Sequence, residues 1–236
     1  MRIFNLRLIV RTGSSFALFF LFVFSRAGDA TFFGEAKTGL HNVASDRYGY
    51  SLFVPEDYTP NREWPLVMAL HDEGVRGEAY MQAWVEAARV RGMIVLCPTY
   101  DIPRGGVPFD HDHRLLKLKR LVQSQYEIDP HRILVVGRAA GGHYAFYLGL
   151  RYPKDFSAVA SMGHVSKGSL EKLFTFSYAK VHQLPVLMLV HQENPLTDSG
   201  ATELEAIQAR GYLIETVEVK TEGELDQPAT NSYVLD

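Results

Sequence analysis

"ILVVGRAAGGHYAFYLGLRYPKDF", residues 133–156, is the stretch that decides the fold. A β-branched run, Ile133 to Val136, meets Gly137, and the pair Gly141 and Gly142 opens an apolar helical pattern. Strand, tight glycine turn and helix in that order form the turn that presents the nucleophile of a G-x-S-x-G site. Here the five positions read Gly137-Arg138-Ala139-Ala140-Gly141, so an alanine stands where the serine would be. The glycines keep their steric sense: Gly137 and Gly141 let a strained turn close, and Gly142 lets the helix approach the sheet. A methyl group cannot attack a carbonyl carbon, and Ala140 offers nothing in its place. His143 and Tyr144, one turn on, read first as core residues on a helix face packed against the sheet.

Outward from this stretch the pattern alternates. "RYGYSLFV" (47–54), "WPLVMALH" (64–71) and "MIVLCP" (93–98) read as strands, rich in β-branched and aromatic residues and bounded by turns. "EAYMQAWVEAARVRG" (78–92) carries apolar residues at helical spacing and stops at a glycine. Helix "DHRLLKLKRLVQSQY", strand "RILVVG", the glycine turn with its helix, and strand "FSAVASM" come next; strand "PVLMLVH", helix "ATELEAIQARG" and strand "LIETVEVK" follow. Short, almost wholly apolar strands alternating with helices predict an α/β fold, a mostly parallel sheet covered by helices on both faces. Ligands of such sheets sit outside the carboxyl ends of the strands, so the loops after His71, Pro98, Gly137, Met162 and His191 should meet at one rim.

The 236 residues and net charge of −3 suit one domain with a sizeable core, and the slight acidity argues against a nucleic-acid partner. Arg2, Arg7 and Arg11 precede the apolar run "FALFFLFVF" (16–24), with small residues through Ala27 and Ala30. That order predicts a secretory signal peptide over residues 1–30 and a single domain over 31–236, hence a secreted or periplasmic protein; the alternative is a protein anchored by an uncleaved signal. The run is much shorter than the roughly 20 apolar residues of a membrane-spanning helix, so no stable membrane span is expected. Cys97, the single cysteine, lies in an apolar strand and reads as a buried thiol.

In order and wording, "PLVMALHDEGVRG", "GMIVLCPTY", "YEIDPHRILVVGRAAGGHYAFYLGLRYPKDFSAVASMGH" and "PVLMLVHQENPL" resemble the secreted α/β-hydrolases. They are most similar to the polyhydroxybutyrate-depolymerase and feruloyl-esterase-like carboxylesterases, and the likeness covers residues 47–225. The "IDPHRILVVG" lead-in and the paired glycines make it specific. The resemblance implies an esterase fold with a minimal cap domain or none. It also implies a closing helix that begins where this chain ends, at "NSYVLD", and its lack would favour truncation or decay.

An acyl-transfer site needs a nucleophile, a base, an acid that orients the base, and an oxyanion hole. The resemblance assigns these in chain order, and each position is altered. Ala139 replaces the nucleophile. Asn194, before Pro195, stands where family members carry the acid; Glu193 and Asp198 are nearby carboxylates that read first as solvated loop charges. Glu224, after Gly223, stands where the family has the base, and no histidine follows His191. Oxyanion-hole donors would be the backbone N–H of Ala140 and one from the loop after His71, where the family's His-Gly step reads His71-Asp72, followed by Glu73. Carboxylates there oppose a developing negative charge, and losing one donor costs roughly 3 kcal/mol of transition-state stabilisation.

Other chemistry is open at the same rim. His71, His164 and His191 with Asp72 or Glu224 could hold zinc, or stand as leftover positions of a parent fold. "FDHDHR" (109–114) is metal-like, or starts a helix with Asp110 or Asp112 as N-cap. No metal or other cofactor is expected. Arg138, beside the empty nucleophile position, either recognises a carboxylate or phosphate or points outward into solvent. Three readings follow: an exported hydrolase homologue that binds a small ester-like or aromatic ligand without cleaving it; a working carboxylic-ester hydrolase with a different mechanism, using His71, His164 or His191 with Glu224; and a decayed product. The protein partner, if any, is not legible.

Overall fold

The expected strand–turn–helix is present at the centre of an eight-stranded sheet. The computed structural model describes residues 37–44, 49–102, 111–163, 184–191 and 211–220, together with positions 202, 204, 205, 207–209, 231, 234 and 235. The signal sequence over 1–30 lies outside the described residues. Strands are β1 (Gly39–Val43), β2 (Tyr50–Val54), β3 (Trp64–Leu70), β4 (Ile94–Pro98), β5 (Ile128–Arg138), β6 (Ala158–Met162), β7 (Val186–His191) and β8 (Ile214–Val219). Their spatial order is β1-β2-β4-β3-β5-β6-β7-β8. β1 and β2 pair antiparallel, as do β2 and β4, and every other pairing is parallel. The parallel strands therefore deliver their carboxyl ends to one rim.

Strand periodicity sorts the core into two clusters, one per face of the sheet. Trp64, Leu66, Met68 and Leu70 of β3 enter one cluster, and Val67 and Ala69 enter the other. β4 divides likewise, Ile94 and Leu96 against Val95 and Cys97. Successive side chains of a strand point to opposite faces, so a strand covered on both sides must be apolar throughout, as these are. Two long helices, α3 (Asp112–Gln125) and α4 (Ala140–Arg151), fill the first face with Leu115, Leu116, Tyr144 and Phe146. Two short ones, α1 (Gly77–Met81) and α2 (Val85–Arg91), fill the second with Met81, Trp84 and Ala88, beside Val234 and Leu235. Asn231, Val234 and Leu235 have helical backbone, and the Asn231 amide donates to the Ala83 carbonyl at 2.7 Å. No cap domain is evident among the described residues, and no helix there is long and apolar enough to cross a membrane.

Two local expectations are corrected. The single helix predicted over 78–92 is two helices. The amides of Gln82, Ala83 and Trp84 bond to carbonyls three residues back, a tighter turn in which positions three apart eclipse. Met81 and Trp84, three apart, are thereby both fully buried on the sheet. The stop at Gly92 is as expected: its φ is 61°, and the amides of Gly92 and Met93 cap the carbonyls of Arg89 and Ala88. The second correction concerns Asp112, which is not an N-cap. It is the first residue of α3, His111 precedes it without a capping side chain, and its carboxylate turns inward. It accepts hydrogen bonds from Tyr144 Oη at 2.8 Å and Tyr152 Oη at 3.0 Å, tying α3 to α4. Asp110 lies outside the described residues.

Candidate functional site

The rim is built around Ala139. Its backbone sits at φ 47°, ψ −115°, the single positive-φ residue other than glycine among the described residues. Side chains rarely occupy that region, and holding one there costs of order 1–3 kcal/mol. The surroundings enforce it. A Cβ on Gly137 would overlap the carbonyl of Gly141, and one on Gly141 would overlap the carbonyls of Leu70 and His71. A Cβ on Gly142 would lie 2.9 Å from Ser161 Oγ, so the helix approaches β6 only because that position is bare. The Ala139 amide donates to the Met162 carbonyl at 2.7 Å, and the Ala139 carbonyl accepts from His143 at 3.0 Å. The turn is intact, and it presents a methyl group.

Opposite it stands the loop after β3. The backbone N–H of Ala140, at the start of α4, donates to Asp72 Oδ1 at 3.2 Å, and the N–H of Glu73 donates to the same oxygen at 2.7 Å. These are the two kinds of donor that an oxyanion hole uses: the amide after the nucleophile position and an amide of the loop after β3. A carboxylate of the chain itself is bound where an oxyanion would be. The sequence alone placed negative charge near this hole; the structure puts it inside.

His71 does not offer a free imidazole. It is 1% exposed and its ring stacks on Tyr100, with centroids 4.2 Å apart. Nε2 accepts the Tyr100 backbone N–H at 3.3 Å, which leaves Nδ1 to carry the proton and donate to the Asp72 carbonyl at 2.8 Å. Tyr100 Oη closes the arrangement by donating to the His71 carbonyl at 2.9 Å. Burial pushes the His71 pKa below its usual value of 6.5 despite the nearby Asp72 carbonyl and charge. With both ring nitrogens committed, His71 serves neither as the base nor as the metal ligand that its place at a strand end suggested. Among the described residues no group of histidine, cysteine and carboxylate side chains could hold a metal ion.

Arg138 closes β5 half-buried, one residue before the empty nucleophile position. Tyr144 is buried as expected, and His143 is half-buried. Cys97 is a buried free thiol whose pKa burial pushes up. His191 ends β7, but its side chain, with His164, Asn194 and Glu224, lies outside the described residues. Two groups were missed by sequence reasoning. One is Tyr80 of α1, near enough to Asp72 and Arg138 to feel both charges. The other is a cavity of about 270 Å³ walled by His71, Arg76, Thr99, Tyr100, Asp101 and Ile102. The rule that ligands sit at strand ends could have found the cavity, since Thr99 to Ile102 directly follow β4.

Residues 42–192 match the family model described as "Putative esterase". The chain belongs to that esterase family. No curated protein sequence matches it. Among solved structures it is similar to a thermostable esterase, at 21% identity and a TM-score of 0.59 over 83% of this chain and 58% of that one. The chain therefore spans little more than half of that esterase's length. A ferulic acid esterase matches at 13% identity and a TM-score of 0.63, covering 84% of this chain and 95% of the other. An S-formylglutathione hydrolase from Agrobacterium tumefaciens matches at 15% identity and 0.61, covering 83% and 92%. At such identities the likeness is one of fold, and the fold is that of α/β-hydrolase esterases.

Proposed function

We propose that this protein is an exported member of the esterase family that binds a small ligand at its rim without hydrolysing it. The observation that carries the reading is the methyl group of Ala139, held at φ 47° where the fold presents its nucleophile. Acyl transfer by the serine mechanism starts with a nucleophile made reactive by an adjacent base, and a methyl group cannot be that nucleophile. Asp72 supports the reading further, because an ester carbonyl cannot use donors that are already bound to a carboxylate. The cavity beside His71 is the place for the ligand. Its volume of about 270 Å³ lies just below the roughly 300–1,000 Å³ of typical ligand pockets, and its mostly polar walls suit a short ester-like or aromatic molecule with a polar end. The charged, apolar and small-residue order over residues 1–30 supports export.

The test is an assay with short-chain aryl esters together with a fluorophosphonate label. No turnover above buffer and no labelled protein are expected. A thermal-shift screen of hydroxyalkanoate oligomers and feruloyl esters then looks for the ligand; one present at 100 times its Kd adds about 2.7 kcal/mol of apparent stability. The second reading, a working carboxylic-ester hydrolase of altered mechanism, is favoured by the names of the structural neighbours, which are esterases and hydrolases. It would draw on His164 or His191 with Glu224. Turnover abolished by replacing one of those histidines would establish it and end the first.

A further inference from the structure

The cavity of about 270 Å³ beside His71 is built by a close approach of two elements. A Cβ at Gly77 would overlap the carbonyls of Cys97 and Pro98, so only a glycine lets the start of α1 lie against the end of β4. The Gly77 amide then donates to Thr99 Oγ1 at 3.1 Å, and the Tyr80 amide donates to the Arg76 carbonyl at 3.0 Å. These bonds hold Arg76 and Thr99, from different loops, in the walls of one cavity. The acceptors around it are already taken. His71 Nε2 accepts the Tyr100 amide, and the His71 carbonyl accepts Tyr100 Oη. Asp72 Oδ1 accepts the amides of Glu73 and Ala140, and Asp101 has a partner of its own.

The donors are open. Thr99 is 8% exposed; its oxygen accepts from Gly77, but its hydroxyl proton has no acceptor among the described residues. The exposed Arg76 guanidinium forms no ion pair among the described residues. Its charge is felt at the cavity wall: burial lowers the His71 pKa, and Arg76 lowers it further. A second guanidinium, that of Arg114, donates to the Thr99 carbonyl at 3.2 Å and adds positive charge on that side. Walls whose open groups are a cation and a hydroxyl donor are complementary to a ligand group that only accepts and carries negative charge.

We propose that this cavity takes a small monocarboxylate, its carboxylate held by Arg76 and Thr99 and its short apolar body set against Val75 and Ile102. The planar guanidinium fork matches the two oxygens of a carboxylate, and the Thr99 hydroxyl adds a third donor. A neutral ester brings no charge to Arg76, so the free acid is preferred to its ester. The volume lies below that of typical pockets for drug-sized molecules, which limits the body to a ring or a few carbons. The inference rests on the reading that the ligand of this protein occupies this cavity, and it narrows that ligand from ester-like molecules to acids.

The experiment titrates the ¹⁵N-labelled full chain with sodium benzoate and sodium butyrate, and in parallel with the neutral benzamide and butyramide, and follows amide shifts. At least one carboxylate should bind roughly fivefold or more tightly than its amide, the gap between charge-assisted and neutral hydrogen bonds. The largest saturable shifts should fall at Val75, Arg76, Thr99 and Tyr100. Arg76→Gln, on an exposed loop, should fold as the wild type does and bring the carboxylate down to the affinity of its amide. Arg76→Lys, which keeps the charge without the fork, should fall between. No saturable shift with either carboxylate, amides that bind as tightly as the acids, or equal carboxylate affinity in the wild type and Arg76→Gln would overturn the proposal. Inorganic phosphate that binds as tightly as the carboxylates would overturn it too, because the site would then select charge alone. Ester turnover by the wild type would end the non-hydrolysing reading, whereas these titrations contain no ester and decide the carboxylate site by themselves.

Discussion

The turn at 137–142 and the loop at 71–76 face each other across the same rim, and they have met opposite fates. At the turn the backbone is retained in detail: Ala139 still sits at φ 47°, although nothing chemical is gained by presenting a methyl group there. At the loop, side chains have taken over the site. His71 is folded under Tyr100 and Asp72 occupies the donors. The turn persists because it is part of the core. Gly137 is where β5 meets the start of α4, Gly141 is where α4 meets the end of β3, and Gly142 is where it meets β6, so a side chain at any of them runs into atoms already in place. The loop is exposed from Glu73 to Arg76 and is free to change. Geometry made of packed backbone is held by every contact it makes, while geometry made of exposed side chains is not.

The largest effect should come from attacking the retained half. Gly141→Val places a branched side chain where a Cβ already overlaps the carbonyls of Leu70 and His71. Neither is a flexible chain end, so β3 and α4 must separate. Overpacking typically costs about 1–3 kcal/mol, and a backbone clash belongs at or above the top of that range. Urea denaturation should show a loss of about 3 kcal/mol or no folded protein. A valine tolerated with less than about 0.5 kcal/mol of loss would mean that the turn is not under this constraint.

The same comparison predicts a gain in stability. Ala139→Gly relieves the strained backbone, worth of order 1–3 kcal/mol, against an unfolded-chain entropy penalty of about 0.4–1 kcal/mol. A net stabilisation of about 1 kcal/mol, seen as a Tm rise of about 2–4 °C, is expected. A lower Tm would show that the alanine methyl makes packing contacts worth more than the strain.

Much of this was legible in the sequence, and the exceptions have a common cause. The sheet, the order of its elements and the position of Ala139 follow from short continuous apolar runs and glycine spacing, which depend on local sterics. The break in the 78–92 helix was not legible, because the apolar spacing of Met81 and Trp84 fits an α-helix and a tighter turn alike. Asp112 ahead of a helix reads as a cap; only its partners, Tyr144 and Tyr152 some thirty to forty residues away, turn it inward. His71 at a strand end reads as rim-facing until Tyr100, in the loop after β4, covers it. Asp72 could be placed near the hole from sequence, but its bond to Ala140 joins residues 68 positions apart.

Asp112 and His71 lead to a smaller, pH-dependent prediction. Burial raises the Asp112 carboxyl above 3.8, outweighing the tyrosine hydrogen bonds that lower it. Its contribution is therefore full below 3.8 and is lost as pH rises through the folded value. Burial lowers His71 below 6.5, so its contribution is present above 6.5 and is lost as pH falls towards the folded value. The two oppose each other in the acid range. Asp112→Asn removes the first alone, so its stability relative to the wild type should rise with pH above 3.8 and then level off. Denaturation profiles at several pH values measure this, and a constant difference would show that Asp112 titrates alike in the folded and unfolded chain.

The smallest expected effect is none at all, and it separates the two halves of the rim most sharply. Ala139→Ser places an oxygen on a turn shaped to hold it, so if backbone geometry were sufficient, hydrolysis would follow. A serine hydroxyl at neutral pH is a poor nucleophile without a base beside it. His71, at the same rim, has both ring nitrogens committed. Asp72 still holds the Ala140 amide, and one oxyanion-hole donor is worth about 10²–10³ in rate. Turnover of aryl esters by Ala139→Ser should therefore be indistinguishable from that of the wild type. Adding Asn194→Asp and Glu224→His should recover more than the sum of the single changes, since such groups act as a unit. Adding Asp72→Gly should raise it again by freeing the hole. Activity in the single variant equal to that of the combined one would mean that a base already stands within reach of residue 139, and that a single side chain separates this rim from hydrolysis.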